Sequence, residues 1–191
     1  MNSTTSFSVI APAKLNLFLH INARRDDGYH ELETLFTFLN FGDTLHFELT
    51  NDASISITGD TKDIPLSDNL IYKAALLLQT YSKTPYGVKI NLTKRLPMGG
   101  GVGGGSSDAA TTLLALNKMW GLNLNLTVLG KLGLQLGADV PVFIQGQSAI
   151  AHGIGEQLHH VTLEKKWYCV VHPNQHVSTA KIFTHPDLKR D

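Results

Sequence analysis

The sequence contains one cysteine, Cys169, which excludes an internal disulfide framework and a cysteine-based zinc site. Cys169 lies in the apolar run "WYCVV", where a small, soft side chain reads as a buried strand thiol. Charge of one sign is also missing: sixteen Lys and Arg balance sixteen Asp and Glu. A protein that lives on nucleic acid or anionic lipid carries a basic excess, so both partner classes are disfavoured. No apolar run approaches the ~20 residues of a membrane span. The start, "MNSTTSFSVIAPAK", lacks a basic n-region and a long apolar core, so it does not read as a signal peptide, and cytoplasm is the expected compartment. Charged residues are only 17% of the chain and hydrophobic ones 42%, a balance that builds a core and argues against disorder. His152, His159 and His160 have no partners at a metal-ligand spacing and read as solvated.

Glycine, in contrast, is concentrated. Six of the seven residues from Gly99 to Gly105 are glycine, within "RLPMGGGVGGGSSDAATTLLAL". Such a run loses much backbone entropy on folding, so it needs a compensating role. Around it the chain reads as mixed strands and helices. "FSVIAPAKLNLFLH" alternates: Val9, Ala11, Ala13, Leu15, Leu17 and Leu19 on one face, Lys14, Asn16, Phe18 and His20 on the other. "RRDDGYH" is a turn, with Gly28 suited to a positive φ. "ELETLFTFL", "DTLHFELT" and "SISITG" are three further strands, antiparallel in tendency. Asp68 is the expected N-cap of a helix whose inner stripe is Ile71, Ala75, Leu78 and Tyr81. "YGVKINLTK" returns as a strand and leads into the glycine loop.

A second helix is expected from about Ser107, burying Ala109, Leu113, Leu116 and Trp120. A third is expected over about Thr127 to Leu136, stopped by Gly137. "ADVPVF", a hairpin around "HGIGEQ" and a strand "KWYCVVHP" follow. This irregular mixture indicates an α+β fold. From about Trp167 the chain reads as the opening of a second unit, with one strand and a short helix "STAKIF", giving expected domains 1–162 and 163–191.

The order strand, glycine loop, Ser-Ser-Asp, helix is that of a phosphate cradle. Glycines let backbone N–H groups approach an anion, and a helix N-terminus adds unpaired donors and partial positive charge. Ser106 and Ser107 can cap the helix and offer hydroxyls to phosphate or Mg²⁺. Three familiar cradles do not fit. A dinucleotide site wants an acid about twenty residues on, and none occurs between Ala109 and Ala138. Gly105 is followed by Ser106 where a Walker A motif needs Gly-Lys. The protein-kinase triplets H-R-D and D-F-G are absent.

"LPMGGGVGGGSSDAA" resembles the second signature motif of the GHMP kinases, the superfamily of galactokinase, homoserine, mevalonate and phosphomevalonate kinases. "PAKLNLFLHI", "DDGYHELETLF" and "LGADVPVF" agree in order and spacing, and within the superfamily the likeness is greatest to the branch acting on a cytidine diphosphate polyol. The resemblance implies a ribosomal-protein-S5-domain-2-like N-terminal domain followed by a ferredoxin-like one, with ATP and Mg²⁺ as cofactors. Lys14 and Asp139 become the catalytic pair, the aspartate accepting the proton of the attacking hydroxyl and the lysine orienting it and steadying the γ-phosphoryl. On its own, Asp139 reads equally as an N-cap before Pro141.

For ATP the resemblance implies Pro97, Gly99, Gly100, Gly101, Gly103, Gly104, Gly105, Ser106 and Ser107 at the phosphates, with Asn69, Leu70 and Lys94 at the adenosine. Asn16, Tyr29, His30 and Phe183 are the implied substrate contacts, with the cytosine between two aromatic faces. Ser107 is the side chain implied to reach Mg²⁺. The family's third motif, a glycine-rich loop of the C-terminal domain, does not occur in these 191 residues. A small-molecule partner, no nucleic acid, no membrane and a monomer or weak homodimer are expected. A homoserine- or mevalonate-type kinase, an inactive nucleotide-binding fragment and a non-catalytic RNA-binding module stay open as alternatives, the last disfavoured by zero net charge.

Overall fold

The computed structural model describes residues 5–61, 64–173, 182–183 and 185–189. Two long strands, β1 (Ser6–Arg24) and β2 (His30–Thr50), pair antiparallel through a turn in which Gly28 takes φ +86°. The two separate strands expected around residues 31–50 are one, running unbroken through Gly42, where the paired strand approaches closely. A Cβ there would collide with the main chain of Ala11 and Pro12. Proline has no N–H for the ladder, and Pro12 sits opposite Gly42 beside a register shift.

Further shifts fall between Asn16 and Phe18 and between Ile21 and Ala23. Each inserts an irregularity and re-aims the side chains beyond it. The simple alternation expected along β1 is therefore broken: adjacent Ala13 and Lys14 are both buried, while Leu17 and Leu19 are exposed.

β3 (Ile55–Gly59), α1 (Leu70–Ser82) and β4 (Gly87–Thr93) form a crossover unit, with β3 and β4 parallel. β4 shows clean period two: Val88, Ile90 and Leu92 face the core and Lys89, Asn91 and Thr93 face out. β5 (Ala149–His152) pairs with the first half of β2, and β6 (Gln157–His160) closes the hairpin around residues 153–156. The strand order is β3-β4-β2-β5-β6, with β1 beside β2.

α1, α2 (Gly104–Met119), α3 (Leu126–Leu134) and α4 (Val140–Gln145) bury one continuous core with this mixed sheet. Leu78, Leu113 and Leu116 are fully buried, each contributing roughly 1.5–3 kcal/mol by removal from water. The α+β class stands.

Two boundaries and one buried position differ from expectation. Asn69, one residue after Asp68, caps α1: its Oδ1 accepts from the Ile71 N–H at 2.9 Å, while Asp68 ends a 3₁₀ turn (Leu66–Asp68). Tyr81, expected inside, is exposed, and Ala74 takes its place in the buried stripe. α2 begins at Gly104 rather than near Ser107, because Gly103 at φ +74° provides the entry turn.

Residues 161–173 form neither strand nor helix. With no ladder partner among the described residues, "WYCVV" stays out of the sheet, so Trp167 and Cys169 are exposed and the buried strand thiol is not found. Most of the expected helix "STAKIF" lies outside the described residues. Among the described residues no helix is long and apolar enough to cross a membrane.

Candidate active site

A cleft of about 780 Å³ opens between the glycine loop, the middle of β1 and the first turn of α1. Its lining contains Lys14, Asn16 and Asp139, the loop from Pro97 to Ser106, Asn69, Leu70, Lys94 and Phe183. Five segments far apart in sequence thus deliver the expected residues to one cavity. Ser107, Tyr29 and His30 do not line it.

The loop is pinned at Val102, the single non-glycine residue between Gly99 and Gly105. Val102 packs with Ala13 and Leu96 in a small apolar cluster, and its carbonyl accepts from the Lys14 N–H at 3.0 Å. Gly103 is required twice over. Its φ is positive, and a Cβ would lie 2.8 Å from the Phe143 ring and 3.1 Å from the Lys14 stem. With glycine at the N-cap, no side chain caps α2. The first-turn N–H groups of Gly104, Gly105 and Ser106 are left for an outside acceptor, at the end of a helix dipole. Ser107 is the exception to the expected set. The early helix start turns it inward, fully buried, and its hydroxyl has no partner among the described residues.

Lys14 extends from β1 with its ammonium 3.3 Å from Asp139 Oδ2 and 2.5 Å from Asn16 Oδ1, over the Phe36 ring at 5.2 Å. Asp139 occupies the N-cap position of α4, with proline in the first turn, yet its side chain makes no cap hydrogen bond. Its carboxylate is about one-third exposed and faces Lys14 instead. A half-open carboxylate beside a buried ammonium can accept a proton from a bound hydroxyl while the ammonium meets an incoming anion.

Lys94 is held differently. Its Nζ lies 2.5 Å from Asp43 Oδ2 and 3.0 Å from Asp108 Oδ2. Asp43 is fully buried and also accepts the Arg95 and Leu96 N–H groups at 2.6 and 2.8 Å, fixing the entrance to the loop. The paired carboxylates raise the Lys94 pKa against the opposing effect of burial. Burial pushes the Asp108 carboxyl up to about 6, with Lys94 opposing and Asp43 adding like-charge repulsion.

Asp43, Asp108 and Thr34 carry no signal in the sequence reading. A charged residue inside the strand-like "NFGDTLHF", and the Asp closing "SSD", were the available cues. At the far end of the cleft His30 stacks on Phe183, ring centroids 5.1 Å apart and 21° between planes. His30 therefore covers one face of the ring expected to sandwich a base, and Tyr29 is exposed to solvent. His152 and His159 meet edge to face at 5.7 Å, outside the cleft.

Residues 69–147 match the GHMP kinases N terminal domain. A 4-diphosphocytidyl-2-C-methyl-D-erythritol kinase of Pseudoalteromonas translucida (strain TAC 125) is 78% identical over 191 residues, which is 100% of this chain and 67% of the relative. The chain belongs to this kinase family. A kinase of the same description from Tolumonas auensis (strain DSM 9187 / NBRC 110442 / TA 4) is 57% identical, again over 100% of this chain and 67% of the relative. A crystal structure of 4-(cytidine 5'-diphospho)-2C-methyl-D-erythritol kinase is similar at TM-score 0.73 and 42% identity, covering 83% of this chain and 56% of that one. Homoserine kinase from Cytophaga hutchinsonii ATCC 33406 shares the fold at TM-score 0.64 and 20% identity, covering 85% of this chain and 53% of that one. As in its family, the chemistry is ATP-dependent phosphorylation of a small molecule.

Proposed function

We propose that the cleft transfers the terminal phosphoryl of ATP to the 2-hydroxyl of 4-diphosphocytidyl-2-C-methyl-D-erythritol, a step of isoprenoid precursor synthesis. The observation that carries this reading is the Lys14–Asp139 pair beside the uncapped start of α2. The N–H groups of Gly104, Gly105 and Ser106 bind the phosphates. Lys14 meets the charge that develops on the transferred group, and Asp139 holds the acceptor hydroxyl in line and takes its proton. A loose phosphoryl-transfer transition state needs positioning and charge compensation more than a strong base, which suits an aspartate next to a lysine.

Adenosine binds toward Asn69 and Leu70. The Asn69 side-chain oxygen is taken by the α1 cap, which leaves its N–H₂ as the donor. Lys94 holds the loop rather than the nucleotide. Phe183, backed by His30, gives the cytosine a ring to stack on, worth ~1–3 kcal/mol. Asn16 contributes by holding Lys14.

Magnesium is proposed to enter with ATP, paired to the charge of its phosphates. Ser106, which lines the cleft, would offer its hydroxyl to the ion, where the resemblance had implied the buried Ser107. When bound, the ion neutralises charge on the β- and γ-phosphate oxygens. Residues 1–162 are assigned to the ATP- and substrate-binding domain and 163–191 to the beginning of a second domain.

ADP release by the 191-residue chain with Mg-ATP is the direct test, with 4-diphosphocytidyl-2-C-methyl-D-erythritol as acceptor and homoserine and mevalonate as controls. Release with the cytidine compound alone is the expected result. Release with a control acceptor instead would overturn the substrate assignment.

A further inference from the structure

The register shift in β1 between Asn16 and Phe18 brings a chain of four polar groups together. Lys14 Nζ donates to Asn16 Oδ1 at 2.5 Å, Asn16 Nδ2 donates to Thr34 Oγ1 at 2.7 Å, and Thr34 Oγ1 donates to the Phe18 carbonyl at 2.6 Å. Thr34 is 1% exposed. The direction of this chain is forced at both ends. A carbonyl only accepts, so the single hydroxyl hydrogen of Thr34 goes to Phe18. The hydroxyl can then only accept from Asn16, which must present its N–H₂. The amide oxygen is thereby turned to Lys14, whose ammonium only donates.

We propose that Thr34 is a positioning residue for phosphoryl transfer, setting the amide of Asn16 so that its oxygen holds Lys14 toward Asp139. This rests on the reading of Lys14 and Asp139 given above. Without the hydroxyl, the Asn16 amide is free to turn its N–H₂ toward the ammonium. Donor then faces donor, and Lys14 leaves its place by the 3.3 Å contact with Asp139. Thr34 touches neither the phosphates nor the reacting hydroxyl in this scheme. It acts through two side chains.

The test is a double-mutant cycle with Thr34→Val, which keeps the shape and deletes the hydroxyl, and Asn16→Ala. Thr34→Val is expected to lower kcat about 10–100-fold with KM for ATP within about 2-fold, and Thr34→Ser to restore most of the loss. In the Asn16→Ala background the same Thr34→Val change should have almost no further effect on kcat, because the group it orients is gone.

A merely structural threonine would give equal losses in both backgrounds, and that result, or full kcat in Thr34→Val, overturns the proposal. A second readout needs no turnover and no variant that folds. With side-chain ¹⁵N-labelled asparagine, the Asn16 N–H₂ of the unsubstituted chain should show a slowly exchanging proton. Exchange as fast as that of the exposed Asn123 would overturn the relay even if the kinase reading stands. A protected Asn16 amide in a chain that releases no ADP would leave the relay intact and fault the kinase reading instead.

Discussion

Two lysines face the same cleft and are set for opposite tasks. Lys14 meets a single carboxylate, Asp139, whose other side is open to the cavity, so charge is matched one to one and both groups can still be approached. Lys94 lies between two buried carboxylates, Asp43 and Asp108, within 3.0 Å of each. One station is left able to exchange partners during a reaction, while the other is committed to joining β2, the loop entrance and α2. In the proposed mechanism, what separates an acting lysine from a holding one is the number and burial of its acids.

The largest expected effect breaks the open station. Asp139→Asn should lower kcat about 10²–10⁴-fold with little change in KM for ATP, measured by steady-state ADP release. Its folding stability should fall less than that of Asp43→Ala, because the amide oxygen of the substituted side chain can still accept from Lys14 and the site is partly open to solvent.

Asp43→Ala reverses that pattern. It strands the Arg95 and Leu96 N–H groups and removes a buried partner of Lys94, so urea unfolding should show a loss of about 3–5 kcal/mol. An Asp43→Ala variant as stable as the parent would dissolve the distinction between the two stations.

The smallest effect is one of pH. The folded Asp108 carboxyl titrates near 6, above its ordinary value of 3.8. Between these values the folded chain keeps a proton that the unfolded chain has released. The stability due to this group is therefore complete below about 3.8, falls as pH rises, and is lost above about 6. Relative to Asp108→Asn, the parent chain should lose roughly 2–3 kcal/mol between pH 4 and 7. Urea titrations of both proteins across that range check it. A constant difference would mean that Asp108 is not strained by its surroundings.

The sequence made visible much of what depends on neighbours along the chain. The β4 strand, the inner stripe of α2 and the glycine-rich entry to a helix are local patterns, and all three are found. Cap identity slipped by one residue at Asp68 and Asn69, since both side chains can cap and only the backbone decides between them. The interrupted register of β1 depends on β2, about thirty residues away at the Pro12–Gly42 pair, and no period within β1 encodes it.

The Asp43–Lys94 contact joins groups 51 positions apart and could not be read from either segment alone. At the proposed catalytic pair the motifs named both residues, while Thr34, hydrogen-bonded behind Lys14 through Asn16, sits in an ordinary-looking strand. Ser107 shows the converse. Its neighbour Ser106 lines the cleft, and a helical step of about 100° puts the two hydroxyls on different sides.

The hydrogen bond from the Lys14 amide to the Val102 carbonyl has a mechanical consequence. The strand that carries the Lys14 ammonium and the loop that would grip the phosphates are stitched directly at their backbones. They behave as one jaw of a vice, so a displacement of the loop carries the lysine with it and the spacing between grip and tool is kept.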